Sequence, residues 1–253
     1  MSDSTRVRLA LLAALLLAGG TVRAAEQRSV SGFDRVMFAL PGQLTLQQGD
    51  AFVLEIDAAE EDLERVETRV QDNELAIRWR EGVRGWAGAR DHGPIEVRLT
   101  LPALRSLEVA GSGDVDGGSW LGESLEVEVN GSGSVAFGEV TVEELSLEIA
   151  GSGSIRAAKV DTALARIDVR GSGDVHLAGA ADRQEIEVMG SGDVALAELE
   201  GAHVEVEIMG SGDVTVWANE TLEAEIMGSG DVSYRGTPKV ELEKNGPGRV
   251  RTL

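Results

Sequence analysis

Few residues in this chain have the type and spacing that chemistry needs. The only histidines are His92, His176 and His203, and no two share a close strand or helix spacing. Imidazole metal or acid–base sites require such convergence, so none is expected. Cysteine is absent, which removes disulfides, thiol nucleophiles, zinc–thiolate and iron–sulfur sites and Cys-linked lipid anchors. Serine recurs within Gly-Ser-Gly, but without the G-x-S-x-G elbow and its ordered triad partners. Carboxylates are plentiful, 44 Asp plus Glu against 23 Lys plus Arg, and paired carboxylates are the tools of glycoside hydrolases. They recur at repeated positions, however, whereas a catalytic centre is a single asymmetric place.

Two patterns stand out as binding candidates. Glu108, Glu128, Glu148, Asp168, Glu187, Glu207 and Glu225 form a periodic acidic row. Stacked at steps of about 4.8 Å, neighbouring charges repel by roughly 0.9 kcal/mol in water. The row reads first as a solvated face that keeps the protein soluble. Its sharper reading is a divalent cation site, because Ca²⁺ takes several carboxylate oxygens, although the calcium-binding nonapeptide period is missing. The second pattern is a possible binding loop, Arg78, Trp79, Arg84, Trp86 and Arg90, the one compact basic–aromatic patch in a chain of net charge -21. It suits an anionic glycan or a partner protein; its plainer reading is an exposed loop with packed tryptophans. No residue is assigned to a metal site on this spacing alone, and no cofactor is expected. The overall charge argues against nucleic acid and anionic membrane surfaces as partners.

The elements that would position these residues follow from a repeat. Gly-Ser-Gly begins at Gly111, Gly131, Gly151, Gly171, Gly190, Gly210 and Gly228, at intervals of 20, 20, 20, 19, 20 and 18 residues. A fixed period means stacked units. Two residues before each unit stand Val109, Val129, Ile149, Val169, Val188, Ile208 and Ile226. Four before, all but Ala224 of the last copy are Leu, Val or Ile, and the acidic row lies between. Four residues after each first glycine comes Val or Ile again. This is period-2 alternation, apolar in and charged out, with a strand on either side of each turn.

A propeller blade needs about twice this length. The leucine-rich frame is missing, and membrane-barrel strands of about 9–11 residues are too long. An antiparallel hairpin array is a rival, since Val129-Asn130-Gly131 resembles a hairpin turn, but it leaves one Val/Ile/Leu face uncovered. A coil buries that face within itself and against its neighbours. The expected fold is therefore all-β, a right-handed parallel β-helix of about 20 residues per coil with irregular N-terminal coils. Each glycine corner supplies positive φ, where a Cβ would cost about 1–2 kcal/mol. Asp114, Asp174, Asp193, Asp213 and Asp231 follow the corners, replaced by Ser134 and Ser154 in two copies. Both types make local side-chain turns, which points to a structural role.

Residues 1–24 read as a secretory signal peptide: Arg6 and Arg8, the ten-residue apolar run 9–18, then Val22-Arg23-Ala24 before the cut. Ten apolar residues are too few to span a bilayer, and no later stretch approaches a span. In the N-terminal third, residues 33–46 and 51–56 alternate like strands around Pro41-Gly42 and Gly49-Asp50. Residues 58–66 fit a short helix, 75–80 and 95–101 further strands, and 81–94 a strand-free insertion. These segments form the first coils and cap an otherwise exposed core.

From about residue 33 to 234 the sequence resembles the head GIN domain family of autotransporter-adhesin-like proteins. The resemblance rests on Gly32-Phe33-Asp34-Arg35-Val36, on residues 44–50 (LTLQQGD), on Leu75-Ala76-Ile77, on residues 101–107 (LPALRSL), and on the serial Gly-Ser-Gly-Asp-Val units. It implies a β-helix-like fold and an envelope or extracellular setting, and it carries no catalytic residues. The chain leaves no room for the C-terminal membrane barrel of a true autotransporter. The expectation is thus a signal peptide at 1–24 and one solenoid domain at 25–253, with the Gly-Ser-Gly repeats at 105–235. It is periplasmic or secreted, not an enzyme, and binds a protein or glycan of the envelope or serves as a scaffold there. The first rival is a β-helix carbohydrate-active enzyme, a polysaccharide lyase or hydrolase, which would show a single cleft with clustered Asp, Lys and Arg. The second is a signalling or stress-related periplasmic factor with a dedicated partner surface.

Overall fold

The structure is a computed structural model that describes residues 23–80, 82 and 94–253. It is nearly all β, a β-solenoid of about 7 turns with ~20 residues per turn. The coil from residue 154 shows how sequence becomes shape. Ile155, Ala157, Val160, Thr162, Ala165, Ile167 and Val169 point inward. Alternation slips at Ala158-Lys159, at Ala163-Leu164 and at the Gly-Ser-Gly, where successive residues face outward. Two neighbours on the same side turn the chain, so each slip is a corner and the coil has three sides. Thr162, the polar residue among the inward set, is satisfied: its hydroxyl donates to the Glu143 carbonyl at 3.1 Å. Each buried Val or Ile contributes about 1.5–3 kcal/mol by leaving water.

The elements in chain order are β1 (Arg23–Arg28), β2 (Arg35–Ala39), β3 (Gln43–Gln48), β4 (Val53–Ala59), α1 (Glu60–Leu63), β5 (Val66–Gln71), β6 (Glu74–Trp79) and β7 (Glu96–Leu101). The regular coils follow with β8 (Ser106–Gly111), β9 (Asp114–Leu121), β10 (Ser124–Gly131), β11 (Ser134–Thr141) and β12 (Glu144–Gly151). Strands then run round the corners without a break: β13 (Ser154–Gly171), β14 (Asp174–Gly190), β15 (Val194–Gly210) and β16 (Val214–Gly228). The last coil holds β17 (Val232–Arg235), β18 (Lys239–Asn245) and β19 (Val250–Thr252). Pairing from β8 onward is parallel, in register along the strand segments that lead into each Gly-Ser-Gly and shifted by bulges on the sides that follow it, so Asn130-Gly131 is a corner between coils and not a hairpin turn.

The N-terminal coils stack out of sequence order. β2 pairs in parallel with both β6 and β8, and β3 with both β7 and β9. The coil of β2 and β3 therefore lies between the coil of β6 and β7 and the regular repeat. Beyond β6 and β7 the pairing turns antiparallel: β5 folds back on β6, and β4 lies between β7 and β1. The β5–β6 turn is Asp72-Asn73, both at positive φ (51° and 64°), as a tight two-residue hairpin turn requires. The short helix α1 buries Leu63 and Asp62 at this end. At the other end Val240 and Leu242 of β18 are 37% and 47% exposed.

Candidate functional site

Parallel stacking in register converts each outward position of the repeat into a column along the solenoid wall. The acidic row forms one such column: Glu108, Glu128, Glu148, Asp168, Glu187, Glu207 and Glu225 are successive partners, and Glu243 extends it by one coil. Beside it runs Ser106, Glu126, Ser146, Arg166, Glu185, Glu205, Glu223 and Glu241. On the corner side runs Ala110, Asn130, Ala150, Arg170, Met189, Met209, Met227 and Asn245.

Charge in these columns is compensated unevenly. Asn130 donates to Glu128 at 2.6 Å. Arg170 bridges Glu148 and Asp168, lying 2.5 Å from the Asp168 carboxylate. Arg166 and Arg183 reach Glu185 at 2.8 and 2.7 Å, and Arg183 also reaches Glu205 at 3.2 Å. Those guanidiniums hold Glu185 below the ordinary carboxylate range. Glu108 is pushed up by burial and by the Glu128 charge. Asp168 is raised by burial despite Arg170, with Glu187 adding to the rise. Glu207 is raised by burial and then by Glu187, Glu225 and Glu205. The column is thus a line of crowded carboxylates, relieved at its centre by one arginine.

The corner next to these columns is built from glycine. The first glycine of each unit has positive φ, from 111° at Gly111 to 146° at Gly210, and Gly246 at 144° adds an eighth corner. A Cβ on Gly171 would also meet the Gly151 carbonyl oxygen well inside contact distance, a pattern repeated coil by coil. The serine N–H bridges the coils instead of its hydroxyl, with Ser172 N donating to Gly151 O at 2.8 Å. The aspartates act between coils rather than in local turns. The N–H groups of Asp213, Asp231 and Arg249 donate to the carboxylates of Asp193, Asp213 and Asp231 at 3.0, 2.9 and 3.0 Å. The Arg249 side chain closes the series on Asp231 at 2.8 Å and lowers its pKa.

The described part of the basic–aromatic candidate lies at the opposite, capped end. Arg78 and Trp79 are on β6, where Arg78 pairs with Glu67 at 3.3 Å and Trp79 packs half-buried against the core. Arg84, Trp86 and Arg90 lie outside the described residues, as does His92. His176 and His203 stand on β14 and β15 in different columns, with His203 Nδ1 3.0 Å from the Thr221 hydroxyl. The structure does not bring these two together. Among the described residues, no group of three or more His, Cys, Asp or Glu is arranged to hold a metal ion. Nor is any helix among them long and apolar enough to cross a membrane. A shallow depression of about 390 Å³ is lined by Gln43, Ile95, Glu96, Ser112 and Asp114 among others. Its carboxylates are occupied: Glu96 pairs with Arg23 and Arg98 at 3.2 and 3.1 Å, and Asp114 accepts the Ser134 hydroxyl at 2.5 Å.

Sequence reasoning missed the methionine column, although Met189, Met209 and Met227 each directly precede a Gly-Ser-Gly. It missed Gly246 because Pro247 stands where the other corners have serine.

The same architecture occurs in solved structures. A protein described as a putative lipid binding protein from Parabacteroides distasonis is 24% identical with a TM-score of 0.84, over 91% of this chain and 96% of that one. A protein described as a putative adhesin from Parabacteroides merdae is 21% identical with a TM-score of 0.83, over 93% and 98%. Another so described, from Bacteroides fragilis, is 21% identical with a TM-score of 0.70, over 92% and 98%. At such identities the likeness is one of fold. No curated protein matches the sequence significantly. The family model described as "Putative auto-transporter adhesin, head GIN domain" matches residues 32–238. With its glycine corners, stacked coils and inverted N-terminal pair, the chain belongs to this head GIN domain family.

Proposed function

We propose that the chain is an exported, non-enzymatic binding protein of the cell envelope, adhesin-like, that engages a surface glycan or protein. The observation that carries this reading is the continuous wall of stacked columns. The outward residues before each Gly-Ser-Gly stack partner on partner from coil to coil, which suits an extended contact and not a single reacting atom. The family description and the names of the structural neighbours favour the same class. The rival carbohydrate-active enzyme needs a cleft with free carboxylates, and the depression near Glu96 and Asp114 offers carboxylates already bound. Within that extended contact we assign recognition of anionic groups to Arg78, Trp79, Arg84, Trp86 and Arg90, of which Arg78 and Trp79 stand on β6.

The export reading places cleavage after Ala24, inside β1. Ala25 pairs with Asp57 across the strands. A new α-ammonium there would replace the Arg23 guanidinium, which pairs with Asp57 at 3.0 Å. Mass spectrometry of protein recovered from its host should find Ala25 first; a chain retaining residues 1–24 in the cytosol overturns export. For function, the full chain is incubated with a panel of envelope and extracellular polysaccharides. Retention and polymer length are read together. Binding without shortening, weakened by Arg84→Ala with Arg90→Ala at unchanged melting temperature, is the expected result. Shortened polymer would establish the enzyme reading instead.

A further inference from the structure

The methionine column has no structural reason within the repeat. The same position is Ala110, Asn130, Ala150 and Arg170 in earlier coils and Asn245 in the last, so the corner does not require Met. Yet three of the chain's five methionines occupy it in three consecutive coils. They face outward, away from the core, and Met227 is 38% exposed. Glu187, Glu207 and Glu225 stand two residues before them, on the same face and in the same three coils.

We propose that Met189, Met209 and Met227, with Glu187, Glu207 and Glu225 beside them, form a binding site for a soft monovalent cation, Cu(I) or Ag(I). Thioether sulfur is a soft ligand that selects Cu(I) over the hard divalent ions. Adjacent coils set the three methionine Cα atoms at steps of about 4.8 Å. The unbranched methionine side chain has three rotatable bonds, so the outer two can lean over the middle one and bring three sulfurs to one ion. Thioethers are neutral and leave the ion's charge uncompensated, which the carboxylates supply. None of Glu187, Glu207 and Glu225 is in an ion pair among the described residues. Arg170, which ends the column on one side, is engaged by Glu148 and Asp168. Glu187, Glu207 and Glu225 are successive partners across the three coils, and a bound cation relieves the repulsion between their charges. Calcium is a poor alternative here, because it needs six to eight oxygens around it and a single file of carboxylates on a wall cannot enclose it. The site stands on its own and does not depend on the adhesin-like reading.

The test uses the full chain with ¹³C-labelled methionine methyl groups, titrated with Ag(I) in chloride-free buffer. Three of the five methyl signals should shift and saturate at one equivalent, while Met1 and Met37 stay in place. Cu(I), held reduced without oxygen, is then partitioned against a chromophoric chelator. Met189→Leu/Met209→Leu/Met227→Leu together should weaken binding about a hundredfold or more. Leucine keeps the apolar volume, so an unchanged melting temperature shows that the loss is not unfolding. Glu207→Gln should weaken binding by about tenfold, the scale of a supporting group beside a metal. Ag(I) that moves no methyl signal, or all five alike, overturns the site. So does a triple variant that binds Cu(I) as tightly as the parent. A shift of the three signals with Ca²⁺ at equal concentration would also overturn it, because thioethers do not take hard ions.

Discussion

Adding one methyl group at Gly171 should damage this fold far more than adding one at Gly122. Gly171 has φ 128°, a conformation that side-chain-bearing residues rarely adopt, which costs about 1–3 kcal/mol. The added Cβ would press on the Gly151 carbonyl of the coil beneath, which is backbone and cannot rotate away. Relief requires the two coils to part, which breaks the 2.8 Å bond from Ser172 N to Gly151 O, a further loss of about 0.5–1.5 kcal/mol. The backbone clash adds to both. A total near 4 kcal/mol, with 2–4 °C per kcal/mol for a chain of this size, lowers the melting temperature by roughly 10 °C. Gly122 has ordinary φ, and its added Cβ would find only the Val142 methyl at 4.0 Å. Gly122→Ala should therefore be neutral or slightly stabilising, since alanine restricts the unfolded chain. Thermal melts by circular dichroism on Gly171→Ala and Gly122→Ala compare the two directly. Equal, small shifts would refute the reasoning that the corners are both conformationally special and closely stacked.

The carboxylate column makes stability depend on pH in two opposite ways. Glu108, Asp168 and Glu207 have raised pKa values, so the native state gains protons more readily than the unfolded one. The melting temperature should rise as pH falls from neutral toward the upper edge of the ordinary carboxylate range, about 4. Glu185, Asp231 and Glu241 have lowered values, and their stabilisation is lost as pH falls further through them; a monotonic decline from neutral would contradict the first part. Salt should stabilise by screening, so CaCl₂ and NaCl matched for ionic strength should raise the melting temperature alike; a calcium-specific rise at low concentration would move the column into the class of hard-metal sites. Arg170→Ala removes the cation between Glu148 and Asp168 and should lower stability by about 1 kcal/mol or less, recovered in high salt. Leu222→Lys should unfold the chain, because Leu222 is fully buried, whereas Leu242→Lys in the last coil, 47% exposed, should change the melting temperature little.

The repeat was legible because the seven coils that carry Gly-Ser-Gly obey one local rule. Val or Ile two residues before a glycine corner, with Glu between apolar neighbours, dictates both the inward face and the acidic column. The stacking order of the first coils was not legible. Nothing in residues 74–79 says that β6 must pair with β2 rather than with β8, because register among parallel strands is decided by which buried faces meet. The β5–β6 hairpin carried a readable signal in Asp72-Asn73, two residues suited to positive φ. The strand β1 was hidden by a leader reading that claims its first two residues. Asp after a corner reads as a local-turn residue, yet the carboxylates of Asp193, Asp213 and Asp231 accept from N–H groups of the next coil, which offer equal geometry. Of the site candidates, the acidic row was readable as spacing alone. The methionine column shares that spacing but hides behind the glycines it precedes.

The ladders rest on one claim, that outward residues one coil apart are direct neighbours. The chain has no cysteine, so paired cysteines report on this without interference. Glu187 and Glu207 are partners across adjacent coils, whereas Glu187 and Glu225 are two coils apart. Parallel strands lie about 4.8 Å apart, and a disulfide cannot bridge Cα atoms beyond about 7 Å. Under mild oxidation, Glu187→Cys with Glu207→Cys should cross-link within the monomer, and Glu187→Cys with Glu225→Cys should not. Cross-linking of the second pair, or of neither, would contradict the stacked wall on which the binding and metal readings stand.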